Sequence, residues 1–294
     1  MKSYSAIVLF IIAMLVITSG AHAKNWNNAL NRLKVNTSIV SIPVASSNED
    51  YAIGAVLNIP KEFSSKALVI IVHGSKGVDT RGQYHQSSLH KVGIATLELD
   101  LWAARGMLDG SFIRPRAVHE TLPDVFAAFR YAAQLPQFDE DKIGILGFSW
   151  GGVIAMLSRE TSIVKEFSPV HQFAAHVAFY PVCWGYTVIP QYKISTTTQK
   201  PILILTGELD DYDLPTSCDD WKQSLSESEQ NFVTVEVFKD AHHAFNSFEP
   251  QKIVVDPFSH LGQGGDVLMK PNKKARKKAN RYLVDFFKTQ FDVD

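Results

Sequence analysis

Apolar and polar residues change rhythm along this chain. Near the start they alternate, at 38–44 and again at 51–59, with a polar turn at 46–50 between them. That pattern predicts an antiparallel pair of strands with one face covered. From residue 67 onward the alternation gives way to unbroken apolar runs: 67–72, closing on His73-Gly74; 93–99, closing on Asp100; then 142–147, 174–180, 201–206 and 232–238. Short runs of this kind read as strands buried on both faces. Between them apolar residues recur at helical spacing. Val125, Phe126, Phe129 and Ala132/Ala133 fall within 122–135, and Val153, Ile154, Met156 and Leu157 follow the run at 142–147. Ala275, Ala279, Leu283 and Phe286 follow Pro271-Asn272. A polar segment at 84–91 completes the alternation as a further helix. Strands alternating with helices predict an α/β fold with a mainly parallel central sheet flanked by helices on both faces. Residues 249–270, which contain Gly262-Gln263-Gly264-Gly265, show no clear element and are expected to form an ordered surface loop near the functional site.

Chemistry enters at the carboxyl ends of these runs, where parallel sheets collect their reactive groups. The run at 142–147 passes directly into Gly147-Phe148-Ser149-Trp150-Gly151-Gly152. A strand that turns at once into a helix lifts the turn residue clear of the sheet, and its neighbours two before and two after must lack a Cβ. Ser149 is therefore the candidate nucleophile. After 201–206 comes the acidic segment Gly207-Glu208-Leu209-Asp210-Asp211-Tyr212-Asp213, and after 232–238 comes Asp240-Ala241-His242-His243-Ala244-Phe245. A serine needs a base, and the base needs an orienting acid. The order serine, acid, histidine is that of the α/β-hydrolase fold. Asp210, three residues after Gly207, is the favoured acid, with Asp211 its rival; Glu208, Asp213, Asp219 and Asp220 read as solvated or capping groups. The base is His243 or His242. An oxyanion hole is expected from the backbone N–H of Trp150 and from one in the turn after His73-Gly74, Ser75 ahead of Lys76. His73 reads as a structural imidazole. Trp102 and Arg105 could line a pocket or fix a loop.

Composition changes this picture little. The 294 residues are 46% hydrophobic and 20% charged, with a formal net charge of −1, an ordinary globular balance that singles out no nucleic-acid partner. The basic run from Lys273 to Lys278 interleaves with an apolar stripe, as the solvated face of a helix does. The first segment adds a compartment. Lys2, an apolar run at 6–17 and Ala21-His22-Ala23 have the form of a cleaved signal peptide over 1–23, leaving a single domain over 24–294. Export to a periplasmic or extracellular space is expected, with no stable membrane association after cleavage. In such a space the chain's two cysteines, Cys183 and Cys218, are a disulfide candidate, because both follow strands expected to be neighbours.

Five segments together resemble the dienelactone hydrolase family: His73 to Gly77 (HGSKG), Asp100 to Gly106 (DLWAARG), the GFSWGG elbow, Thr206 to Asp211 (TGELDD) and Ala241 to Phe245 (AHHAF). The resemblance spans roughly 51–287. It implies a compact single-domain hydrolase without a large lid, acting on small esters or lactones, and its His-small-Phe pattern favours His243 over His242 as the base. One departure stands out: the namesake enzymes use a cysteine nucleophile, and this elbow carries Ser149. A thiol can be held as thiolate, whereas a serine depends on the adjacent base, so the expected substrate is a general carboxylic ester or lactone rather than a dienelactone. Neither metal nor organic cofactor is required, and a monomer acting on a small molecule is expected. The alternatives are an acyltransferase or peptidase on the same scaffold, or a non-catalytic exported binding protein that retains it.

Overall fold

The long apolar runs pair into one sheet. In the computed structural model, which describes residues 34–45, 50–107, 114–168 and 170–294, the strands are β1 (Val35–Val44), β2 (Tyr51–Pro60), β3 (Leu68–Val72), β4 (Ala95–Asp100), β5 (Ile143–Phe148), β6 (Ala175–Phe179), β7 (Ile202–Gly207) and β8 (Val233–Phe238). Their order across the sheet is β1-β2-β4-β3-β5-β6-β7-β8. β2 runs antiparallel to β4, and the strands from β4 to β8 are parallel to one another. The chain moves from β3 outward to β4 and then returns to the far side of β3 as β5. That reversal opens a crevice at the carboxyl ends of β3 and β5, where the His73 and Ser149 turns lie.

Period two decides which face each strand residue serves. On β3, Leu68, Ile70 and Val72 join the core beneath helices α2 (Leu122–Ala133) and α3 (Trp150–Leu157), while Val69 and Ile71 join the opposite core. The opposite core is covered by α1 (Thr80–His90) and the long terminal helix α5 (Lys273–Phe291). Each buried Leu or Ile contributes about 1.5–3 kcal/mol. The leader expected over 1–23 lies outside the described residues. Residues 37–294 form one compact unit, and no helix among the described residues is long and apolar enough to cross a membrane.

Three details depart from the sequence expectations. Helix α1 begins at Thr80 rather than at residue 84, capped by Asp79, whose Oδ1 accepts from the Arg81 amide at 2.9 Å. Its buried face is polar, carrying Arg81, His85 and Gln86 beside Leu89, so it has little apolar periodicity to announce it. The buried stripe of α5 runs Ala275, Ala279, Leu283, Phe287, Phe291 at a strict spacing of four, with Phe286 only half-buried; the i, i+4 ridge selects Phe287. The stretch 249–270 is not a featureless loop. It forms a hairpin of β9 (Lys252–Asp256) and β10 (Gly265–Met269) beside the site, with the glycines expected to mark a loop supplying its turn.

Cys183 and Cys218 are joined in a disulfide that spans 35 positions of sequence. It ties the segment after β6 to α4 (Ser217–Gln223), and Asp213 reinforces the tie by accepting the amides of Cys183 and Trp184 at 2.6 and 2.9 Å. Closing a loop of this length contributes about 3–4 kcal/mol. The Cys183→Ser, Cys218→Ser double variant should therefore lose about that much unfolding free energy and unfold at lower urea; an unchanged midpoint would show that the bond adds no stability.

Candidate active site

The elbow after β5 is held by backbone contact that excludes side chains. A Cβ on Gly147 would stand 1.8 Å from the Gly151 carbonyl oxygen, and one on Gly151 would stand 2.2 Å from that of Val72. Gly152 is equally closed, 2.6 Å from the Phe179 carbonyl oxygen. Ser149 itself takes φ 51 and ψ −108, a conformation costly for a residue with a Cβ and retained where the surrounding structure over-determines it. Its amide bonds to the Phe179 carbonyl at 3.0 Å and the Gly151 amide to that of His73 at 3.1 Å, so β3, β5 and β6 together fix the turn. The Ser149 side chain emerges over the crevice.

There it meets the groups supplied by β7 and β8. Ser149 Oγ lies 3.0 Å from His243 Nε2, and His243 Nδ1 faces Asp210 Oδ2 at 2.8 Å and Oδ1 at 3.1 Å. His243 is 1% exposed and Asp210 5%, so both are shielded from water. Asp210 Oδ1 also accepts the Tyr212 amide at 3.0 Å. The other candidates are engaged elsewhere. Asp211 Oδ2 accepts the Leu268 amide at 2.7 Å and its carbonyl accepts the His260 amide at 2.7 Å, anchoring the β9–β10 hairpin. His242 is absent from the Ser149 contacts. Glu208 Oε2 caps the Asp240 amide at 3.0 Å.

The expected oxyanion donors flank the same serine. Trp150 opens α3, where first-turn amides have no acceptor inside the helix. Ser75 sits in a turn closed by Gly77 N–H to the Gly74 carbonyl at 2.9 Å, with Gly77 at φ 97. Its carbonyl accepts Trp102 Nε1 at 3.0 Å and its Oγ accepts Arg114 Nη1 at 3.0 Å, which holds the turn against the crevice. Lys76 turns away to pair with Glu249 at 2.6 Å. Trp102 and Arg105 fix loops: Arg105 pairs with buried Asp124 at 2.6 Å. His73 donates through Nδ1 to the Gly74 carbonyl at 2.7 Å and accepts the Leu101 amide on Nε2 at 3.0 Å. Burial lowers its pKa to about 4, which keeps it the neutral structural imidazole the sequence suggested.

Several supporting groups escaped the sequence reading. Tyr180 and Tyr212 pack against His243 with tilted rings, centroids at 4.6 and 4.5 Å, gripping the imidazole. Tyr180 accepts from buried Arg81 at 3.0 Å and donates to Asn246 Oδ1 at 2.6 Å; Asn246 Nδ2 donates to His85 Nε2 at 3.1 Å, and His85 Nδ1 meets Asn280 Oδ1 at 2.9 Å. Arg81 is neutralised by Asp79 at 2.6 Å, and Arg114 by Asp256 at 2.7 Å. Tyr180 follows β6 directly, so its position at a strand's carboxyl end was the available signal; nothing local marks the others.

Buried imidazoles give this architecture an acid-sensitive stability. Burial lowers the pKa of His73 and His90 to about 4, that of His85 to about 3, and that of His176 well below its ordinary value. Unfolded, each takes up a proton below about 6.5, so between about pH 6.5 and 4 the unfolded state binds more protons and stability falls with pH. Glu98 and Asp213, raised by burial to about 7, take up protons in the folded state over the same window and oppose the trend. With His119 also lowered and Asp124 also raised by burial, five imidazoles outweigh three carboxyls. The Tm should fall by roughly 5–10 °C between about pH 7 and about pH 4.5; a constant or rising Tm would contradict the neutral assignments.

With this geometry in view, the comparisons are decisive for kinship. The dienelactone hydrolase family model matches residues 53–291. The chain belongs to the dienelactone hydrolase family. Solved structures share the fold. A dienelactone hydrolase from Anabaena variabilis is 19% identical, with a TM-score of 0.55 over 87% of this chain and 99% of that one. Est1E from Butyrivibrio proteoclasticus is 14% identical, with a TM-score of 0.56 over 86% and 99%. A dienelactone hydrolase-like promiscuous phosphotriesterase from metagenomic libraries is 13% identical, with a TM-score of 0.58 over 86% and 98%. Comparison with curated protein sequences gives no match. Membership of this hydrolase family, together with the α/β-hydrolase fold of a mostly parallel eight-stranded sheet, agrees with what the motif segments implied.

Proposed function

We propose that this protein is an exported serine hydrolase that cleaves carboxylic esters or lactones through Ser149, His243 and Asp210. The observation that carries the reading is the unbroken contact from Ser149 Oγ to His243 Nε2 at 3.0 Å and from His243 Nδ1 to Asp210 at 2.8 Å. Ser149 Oγ attacks the carbonyl carbon while its proton passes to Nε2. Asp210 holds Nδ1–H toward itself and stabilises the imidazolium that forms. The amides of Trp150 and Ser75 receive the developing oxyanion. His243 then protonates the departing alcohol, and a water activated by the same nitrogen releases the acid from the acyl-enzyme. The disulfide supports export, because such bonds persist in oxidising compartments. The protein acts as a monomer on small molecules, without nucleic acid or stable membrane attachment.

A panel of p-nitrophenyl esters and small lactones, assayed with added alcohols and amines, tests this reading. Hydrolysis to free acid is expected. Preferential transfer of the acyl group to alcohol or amine would convert it to an acyltransferase, and the absence of turnover on every ester and lactone would sink it.

A further inference from the structure

Two cavities open on Ser149, and their linings differ. One is a slot of about 80 Å³ walled by Val118, Val153, Val182, Trp184, Ile189 and Tyr192, which shares Arg114, Arg116 and Asp256 with the second cavity. The other is a trough of about 450 Å³ edged by Lys76, Arg81, Arg116, Glu249 and Lys252, with His243 in its wall. His243 lines the trough and not the slot.

That difference assigns the two halves of a substrate, provided the esterase reading above holds. When the tetrahedral intermediate collapses, the proton taken from Ser149 Oγ must pass from His243 Nε2 to the leaving oxygen as the carbon–oxygen bond breaks. The leaving oxygen therefore faces His243, and the alcohol it belongs to extends into the trough. The acyl group is left the slot. The slot is several-fold smaller than the trough, so it suits a short acyl group and leaves the larger group to the trough.

Charge completes the assignment. In the trough Asp79 neutralises Arg81 at 2.6 Å and Asp256 neutralises Arg114 at 2.7 Å, while Glu249 alone serves both Lys76 at 2.6 Å and Lys252 at 3.8 Å. Arg116 is exposed at the shared mouth and has no ion-pair partner among the described residues. The trough thus holds surplus positive charge, which favours an anion. The slot cannot stretch to compensate for its size. Trp184 is pinned by its amide to Asp213 at 2.9 Å, by the neighbouring Cys183–Cys218 bond, and by the hairpin turn, where a Cβ on Gly262 would stand 2.7 Å from the indole edge.

We infer that the preferred substrate is an ester of a short apolar acid with a bulky, negatively charged alcohol, the acid seated against Trp184 and the alcohol in the Arg116 trough. The test uses the full mature chain and two substrate series. With p-nitrophenyl acetate, butyrate and octanoate, kcat/KM should peak at the short acids and fall at least about tenfold at octanoate. Ile189→Ala, which opens the slot wall, should raise the octanoate-to-acetate ratio several-fold, and Val153→Phe, which narrows it, should depress butyrate relative to acetate. With the acetates of 4-nitrophenol and of 3-carboxy-4-nitrophenol, Arg116→Glu should lower the preference for the carboxylated ester at least about fivefold, with the difference shrinking in high salt. A flat acyl series unaltered in both slot variants, or a charge preference unmoved by Arg116→Glu, overturns the assignment. Hydrolysis that persists undiminished in Ser149→Ala would instead overturn the esterase reading, so the two failures are separable.

Discussion

Ser149→Ala is expected to abolish ester hydrolysis, lowering kcat by about 10⁴–10⁶-fold, and to eliminate covalent labelling by a fluorophosphonate probe. The size follows from what the hydroxyl does. In the proposed mechanism it forms the covalent bond on which both half-reactions depend, and its removal leaves only binding and oxyanion stabilisation. Folding should survive, because alanine keeps the Cβ that the elbow already accommodates and Ser149 anchors the turn through its amide, bonded to the Phe179 carbonyl at 3.0 Å. Side-by-side activity, labelling and thermal unfolding check all three points. Undiminished labelling in the variant would place the nucleophile elsewhere.

The second large effect separates two adjacent carboxylates. Asp210→Asn should cost about 10⁴-fold in kcat, because an amide can present N–H to His243 Nδ1 and so favour the tautomer that cannot accept the serine proton. Asp211→Asn should stay within about threefold of wild type, since its carboxylate accepts the Leu268 amide at 2.7 Å and an amide oxygen can accept that bond too. Equal losses in both variants, or a larger loss at Asp211, would reverse the assignment. The tyrosines packed on His243 make the contrast sharp. With the ring gripped by Tyr180 and Tyr212, the imidazole cannot swing to recruit the neighbouring carboxylate.

Much of this site is legible in the chain because its parts obey local rules. Gly147 and Gly151 are required wherever a strand turns at once into a helix, and the collision distances at both positions are backbone collisions that no side-chain adjustment relieves. Parallel strands place their carboxyl ends on one rim, so Asp210 and His243 could be anticipated from the residues that follow β7 and β8. The choice between His242 and His243 needed the family pattern, and the choice between Asp210 and Asp211 had no local mark beyond its spacing from Gly207. The β9–β10 hairpin was missed because its outer positions, Ile253 and Val255, are apolar and exposed at 64% and 74%, so alternation between an inner apolar and an outer polar face never appears.

What the sequence determined by itself is the order of elements, the elbow and the chemical types waiting at each strand end, because period and turn sterics act over a few residues. What only the tertiary structure decided is which atoms meet. Arg81, Tyr180, Asn246, His85 and Asn280 come from α1, the segments after β6 and β8, and α5, yet form one hydrogen-bonded chain behind the site. The slot and trough likewise draw their walls from segments far apart in the chain. Buried polar partners and cavity shape depend on the packing of distant segments, and a one-dimensional pattern carries no term for that distance.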